Sequence, residues 1–245
     1  VITQAVITAG GRVEPDFAKV IGTPVKALAP FAGSTFLERT VHALRSAGVG
    51  RIAVVGGSEV RSVCARIVDK VIEEDLSGAV NLSRALHAWD GAEPLLYLTS
   101  DMPFISAAAL RVFCERVPVQ TLALPLTEWR DFEDRFPHAP GFGITLAGER
   151  VVNGGAFVIP AHSAARIENF AARFFEARKS VWRMARLTGP ALLLQFALRR
   201  LSIARLERHA QRLLGVPACA LRGAPVELAY DVDALEEYRY AIAHA

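Results

Sequence analysis

Apolar residues fall along this chain in two alternating rhythms. Short β-rich runs at Ala5–Ala9, Arg51–Val55, Val71–Glu73, Leu95–Thr99 and Thr121–Leu124 read as strands buried on both faces. Between them, Thr35–Ser46, Glu59–Val68, Asn81–Trp89 and Ser106–Arg116 carry apolar residues at helical spacing, with Ser34 or Thr35 and Ser106 placed as N-caps. This alternation predicts a mostly parallel sheet covered by helices on both faces. Ligands on such a sheet gather at the carboxyl ends of the strands. That rule brings Gly10, Gly11 and Arg12 together with the segment Thr99–Pro103.

After Leu124 the rhythm breaks. Pro125–Gly143, rich in Pro, acidic and aromatic residues, reads as a long surface excursion. A strand pair is expected over Phe142–Leu146 and Val151–Ile159, followed by a helical block from about Ser163 to Leu214. Ala218–Leu221 and Val226–Ala229 read as short strands, and Asp231-Val232-Asp233 leads into a last helix over Ala234–Ala241. The expectation is one α/β domain spanning 1–245, with a helical insertion or lid at about 163–214.

Composition narrows the function classes. With 245 residues and 52% hydrophobic content the chain can bury a large core. A net charge of +3, from 28 basic and 25 acidic residues, gives no argument for a nucleic-acid partner. Cys64, Cys114 and Cys219 lack Cys-x-x-Cys spacing, which speaks against a disulfide framework or a zinc knuckle. The six histidines show no metal-ligand spacing either. The apolar run Pro190–Leu198 falls short of the roughly 20 residues that span a bilayer. With no secretory signal pattern at the first strand, the expected location is the cytoplasm.

The chemistry concentrates at strand ends. Val6-Ile7-Thr8-Ala9-Gly10-Gly11-Arg12 reads as a strand feeding a glycine turn, where the absence of Cβ atoms lets backbone N–H groups approach an anion. Lys26 follows after a stretch, Val13–Val25, that reads as a flexible cover, and it offers a mobile positive charge. The pattern is neither a Walker A loop nor a Rossmann fingerprint. Leu95–Thr99 delivers Ser100 and then Asp101 at its end, and a carboxylate there can hold magnesium, which takes one or two protein carboxylates and leaves other positions to water and phosphate. Of Asp231 and Asp233, only one is expected to face the metal with Asp101, and Asp233 is the favoured second ligand. The rival reading gives both acids to the N-terminus of the final helix through its dipole.

Ala9-Gly10-Gly11, Lys26-Ala27-Leu28, Asp101-Met102-Pro103, Asn153-Gly154-Gly155-Ala156-Phe157 and Asp231-Val232-Asp233, in this order, resemble the nucleotidyltransferases that include the molybdenum-cofactor guanylyl- and cytidylyltransferases and the sugar-phosphate nucleotidyltransferases. The resemblance, strongest to uncharacterised MobA-like members, implies a Rossmann-like three-layer α/β/α sandwich of the nucleotide-diphospho-sugar transferase type. It also implies transfer of a nucleoside monophosphate from an NTP, with CTP or GTP expected, to a phosphorylated acceptor with release of pyrophosphate. Carried over by position, Thr8, Ala9, Gly10, Gly11, Asn81 and Ser100 would bind the nucleotide, with Lys26, Asp101 and Arg12 catalytic. Asp101 and Asp233 would hold Mg2+, and Asn153, Gly154, Gly155 and Lys179 would meet the acceptor. The sequence departs from the pattern at Thr8, where leucine is usual, at Ala156, where asparagine often follows the glycines, and at Ala234-Leu235, which replaces Thr-Pro.

Two rival functions share this fold. A glycosyltransferase would use a nucleotide-sugar and an acidic metal motif, but the early Gly-Gly and Lys argue against it. A non-catalytic nucleotide-binding module would not need Lys26, Asp101 and Asp233 together. In the helical block, Arg173, Arg178, Lys179, Arg183 and Arg186 lie among Phe170, Phe174, Phe175 and Trp182. Packing on the sheet, or on a second copy in a homodimer, is the favoured reading of this face. Contact with a phosphorylated lipid-like substrate or a membrane surface is the lesser one.

Overall fold

The computed structural model describes residues 2–141, 143–177 and 189–245, without the side chains of 174–177. A nine-stranded sheet forms the centre of the described residues. Its order is β5 (Lys70–Glu73), β4 (Arg51–Gly56), β1 (Gln4–Thr8), β6 (Leu95–Thr99), β10 (Ala156–Ile159), β7 (Leu122–Glu128), β9 (Glu149–Asn153) and β8 (Ile144–Leu146), with β11 (Ala218–Arg222) also paired to β7. β9 and β10 run against the other strands, so the sheet is mixed and mostly parallel. A two-residue ribbon, β2 (Pro30–Phe31) with β3 (Ser34–Thr35), stands apart. A mostly parallel sheet is what the alternation predicted, and the architecture is the Rossmann-like α/β fold that the resemblance implied.

Helices cover both faces because the strands are apolar on both. On one side α2 (Phe36–Ser46) and α5 (Ala107–Arg116) bury Leu37, Val41, Leu44, Leu110 and Phe113 against Ile7 and Ile52. On the other, α4 (Gly78–Leu86) and α7 (Ala164–Ala177) pack Leu86 and Ile167 over Val6, Ala53 and Val55. α2 starts at a capping box, in which the Glu38 N–H donates to Thr35 Oγ1 at 3.2 Å and the Thr35 N–H donates to Glu38 Oε2 at 2.8 Å. Ser106 caps α5 in the same way, accepting from the Ala109 N–H at 3.1 Å. α3 (Ser58–Cys64) bridges β4 to β5, and α8 (Pro190–Ala197), α9 (Ile203–Leu214) and α10 (Leu235–Ala243) complete the helices of the described residues. No described helix is long and apolar enough to cross a membrane.

Four expectations change. Val13–Val25 is not a loose cover. It holds α1 (Pro15–Ile21), with Phe17 and Ile21 buried, and an antiparallel bridge of Arg12 to Val25 pins its ends. Proline at the first helical position and Gly22 in the left-handed conformation, φ 77°, delimit this helix, a start and stop pair that was present in the sequence. Pro125–Gly143 is not a surface excursion throughout. Its first part continues β7 and its middle forms α6 (Trp129–Arg135), which buries Phe132. The acidic composition hid the aromatic spacing that anchors this segment. Val226–Leu228 forms a 3-10 turn instead of a strand, following Pro225, whose missing N–H suits a turn start. Finally, Val151–Ile159 is two strands, β9 and β10, separated at Gly154-Gly155; both pair with β7, and β10 pairs with β6 as well.

An aromatic cluster sits behind the strand ends. Phe17, Phe36, Phe132, Phe136, Tyr230 and Tyr238 form a second core that ties α1, α2, α6 and α10 together. Its rings meet at centroid distances such as 4.9 Å for Phe136 with Tyr230 and 5.3 Å for Phe17 with Tyr238. This cluster fixes the loop that carries Asp231 and Asp233.

Candidate active site

β1, β6 and the loop after β5 open a cleft of about 560 Å³ at the carboxyl edge of the sheet. Of the residues expected at the nucleotide, Thr8, Gly10, Gly11, Arg12, Asn81 and Ser100 line it, as do Lys26 and Asp101. Ala9 does not. It is wholly buried in the core, and its N–H donates to the Val55 carbonyl at 2.8 Å, which fixes the point where β1 turns into the glycines. The Lys26 N–H donates to the Gly11 carbonyl at 2.9 Å and so holds the start of a 3-10 turn, Lys26–Leu28, against the glycine turn.

Lys26 joins the two ends of the chain. Its Nζ lies 2.6 Å from Asp101 Oδ2 and 2.6 Å from Asp233 Oδ1. Asp101 is well buried, its side chain 11% exposed, whereas Asp233 is 72% exposed at the cleft mouth. Burial alone would lower the Lys26 pKa, but the charges and hydrogen bonds of the two carboxylates outweigh it and hold the ammonium protonated. Asp231 opens to solvent in the same loop. Crowding by protein atoms around its carboxyl, and then the charges of Asp101 and Asp233, push its pKa up to about 7.

The Asp233 loop is itself held in place. The N–H groups of Asp233 and Ala234 both donate to Glu237 Oε2 at 2.6 Å, and the Val232 N–H donates to the Asp101 carbonyl at 3.0 Å. Ala234 cannot cap α10 with its methyl group, so Glu237 supplies that half of the capping box alone.

The donor set suits a hard divalent cation. No group of three or more His, Cys, Asp or Glu side chains is arranged to ligate a metal among the described residues. Magnesium and manganese sites of nucleotide enzymes need only one or two carboxylates. Asp101 Oδ1 is buried and has no hydrogen-bond partner among the described residues, an acceptor left over for such a cation.

Other expected positions divide. Asn81 does not cap α4: it lies within the helix, and its amide brackets the preceding loop, accepting from the Asp75 N–H at 2.6 Å and donating to the Asp75 carbonyl at 2.9 Å. Asn153 lies at the rim of a smaller pocket with Asp231, Asp233 and Glu237. Gly154 and Gly155 line none of the clefts described and serve close packing. A Cβ at Gly154 would stand 2.1 Å from the Leu228 carbonyl oxygen, and one at Gly155 would stand 2.2 Å from Thr99 Oγ1. Lys179 lies outside the described residues.

Glu74 was not foreseen. It pairs with Arg12, Nη2 to Oε1 at 2.5 Å, and a Cβ at Gly10 would stand 2.0 Å from its Oε2, so the glycine makes room for a carboxylate as well as for an anion. Its signal was the acidic run Glu73-Glu74-Asp75 at the carboxyl end of a strand. Tyr97, whose hydroxyl lies 3.1 Å from Thr8 Oγ1, also lines the cleft.

A glycine turn, a buried lysine and paired carboxylates at the ends of a mostly parallel sheet define a protein of the nucleotidyltransferase class. The family model described as the MobA-like NTP transferase domain matches residues 5–211, and the chain belongs to that family. No curated protein matches it. Among solved structures, a hypothetical transferase from Thermus thermophilus is 28% identical over 97% of this chain and 99% of its own, with a TM-score of 0.85. A Mycobacterium tuberculosis protein solved as a complex with manganese is 19% identical, covering 100% of both chains at a TM-score of 0.54. The CTP:phosphocholine cytidylyltransferase of Streptococcus pneumoniae is 12% identical over 100% of this chain and 99% of its own, with a TM-score of 0.56. These last two show likeness of fold.

Proposed function

We propose that this protein transfers a nucleoside monophosphate from an NTP, CTP or GTP, to a phosphorylated small-molecule acceptor and releases pyrophosphate. The observation that carries this reading is Lys26 Nζ, 2.6 Å from both Asp101 and Asp233, beside the Gly10-Gly11 turn. The triphosphate lies along the glycine turn, where Gly10, Gly11 and Arg12 meet its oxygens. An oxygen of the acceptor phosphate forms a bond to the α-phosphorus in line. The bond from that phosphorus to the bridging oxygen breaks, and pyrophosphate leaves with the electron pair. Lys26 exchanges its carboxylates for phosphate oxygens and stabilises the charge that develops there.

Asp101 and Asp233 would hold the divalent ion, Mg2+ or Mn2+. Such an ion neutralises phosphate oxygens during transfer. The manganese complex of the Mycobacterium tuberculosis protein supports a divalent cation at this fold. Asn153, at the rim beside Asp233, would face the acceptor.

A pyrophosphate-release screen of four NTPs against pooled phosphorylated acceptors, run with Mg2+ and with Mn2+, tests the proposal. Release that needs CTP or GTP, metal and acceptor together is the expected result. Absence of NTP binding by calorimetry would overturn the reading.

A further inference from the structure

A second cavity, of about 450 Å³, lies between the sheet and the helices that follow α7. Its floor is the alternate-residue face of β7 and its neighbours, with Leu124, Leu126, Val151 and Ala220 among the lining, and its roof is α8 and α9. Glu207, His209 and Asn153 are its polar members. An apolar space of this size, partly open to solvent, has the concave and mostly hydrophobic lining of sites that take small molecules. His209 Nε2 is buried without a hydrogen-bond partner among the described residues, one more sign of a missing neighbour.

The cavity adjoins the candidate active site at two points. Asn153 lines both it and the pocket of Asp231, Asp233 and Glu237. Phe157, in its wall, packs edge-on at 5.9 Å against Tyr97 of the nucleotide cleft. An acceptor whose phosphate reaches Lys26 past Asn153 would have its remaining body at the mouth of this apolar space.

We propose that the acceptor is a phosphorylated amphiphile, whose alkyl, isoprenoid or aromatic body occupies the cavity under α8 and α9 while its phosphate lies at Lys26 and Asp233. This deepens the nucleotidyl-transfer reading and rests on it. A compact polar acceptor such as a sugar phosphate would leave the cavity unfilled.

The test uses butyl and octyl phosphate, below the micelle concentration, in buffer with magnesium and without nucleotide. Each buried methylene is worth roughly fourfold in binding. Octyl phosphate is expected to bind at least about tenfold more tightly than butyl phosphate in calorimetry, with a negative heat-capacity change. Ala210→Phe, which fills the cavity, should remove that difference. A second readout needs no variant: octyl phosphate should slow alkylation of Cys219, which lines the cavity, and butyl phosphate should not. Equal binding of the two probes, or a chain-length preference that survives in folded Ala210→Phe, overturns the proposal. Because nucleotide is left out, this result is independent of whether any NTP is turned over.

Discussion

The two carboxylates that meet Lys26 come from opposite kinds of structure. Asp101 ends a central strand, β6, paired to β1 and β10 and buried from both faces. Asp233 rides on a loop after a 3-10 turn, mostly exposed and held by Glu237 and an aromatic cluster. One is set by the sheet ladder, the other by side-chain packing. On the proposed reading, the nucleotide side of the molecule is therefore set by strand register, whereas the acceptor side is assembled from turns.

Substitution at each carboxylate tests that contrast. Asp101→Asn is expected to lower pyrophosphate release by about 10²–10³-fold, the range seen when one preorganised electrostatic group is lost. Asp233→Asn should cost on the order of tenfold, since solvent can replace an exposed ligand. Steady-state kinetics with metal titration would check both, and equal losses would erase the distinction. Lys26→Met should remove about 3 kcal/mol of stability in metal-free buffer, because it leaves Asp101 buried without its partner. Urea unfolding with and without Mn2+ measures this, and metal should restore part of the loss by binding the folded state. Gly154→Ala should cost about 1–3 kcal/mol through its clash with the Leu228 carbonyl, a backbone atom that cannot swing aside. Its thermal melt should shift without any change in metal response. Glu74→Gln should change stability by less than about 1 kcal/mol, because its pair with Arg12 is partly exposed. A larger drop for Glu74→Gln than for Gly154→Ala would mean that the nucleotide side, too, depends on side-chain contacts.

The same division governs how much could be read from the chain. β6 was expected at Leu95–Thr99 and lies there, since an unbroken apolar run between charged flanks has one stable place in a parallel sheet. The glycine turn and Asp101 follow from strand ends alone. Glu74 was legible only as part of an acidic run, because its role depends on Gly10 and Gly57 leaving space across the cleft, a contact no local pattern reveals. α1 and α6 were missed because their burial comes from the distant aromatic cluster, so tertiary packing outweighed weak local periodicity. Gly154 and Gly155 matched a family motif, yet their geometry answers to Leu228 and Thr99. A motif carries over a position more securely than a reason for it.

The Lys26–Asp233 contact spans 207 positions of sequence. Such a contact is among the last to gain from chain collapse, since its loop entropy is lost before any local reward arrives. As the chain emerges from the ribosome, the glycine turn and Lys26 appear long before Asp233 can neutralise them. Until then Lys26 has Asp101 as its carboxylate partner, and Arg12 has Glu74. The contact that closes the site is therefore also among the last long-range contacts that the fold acquires.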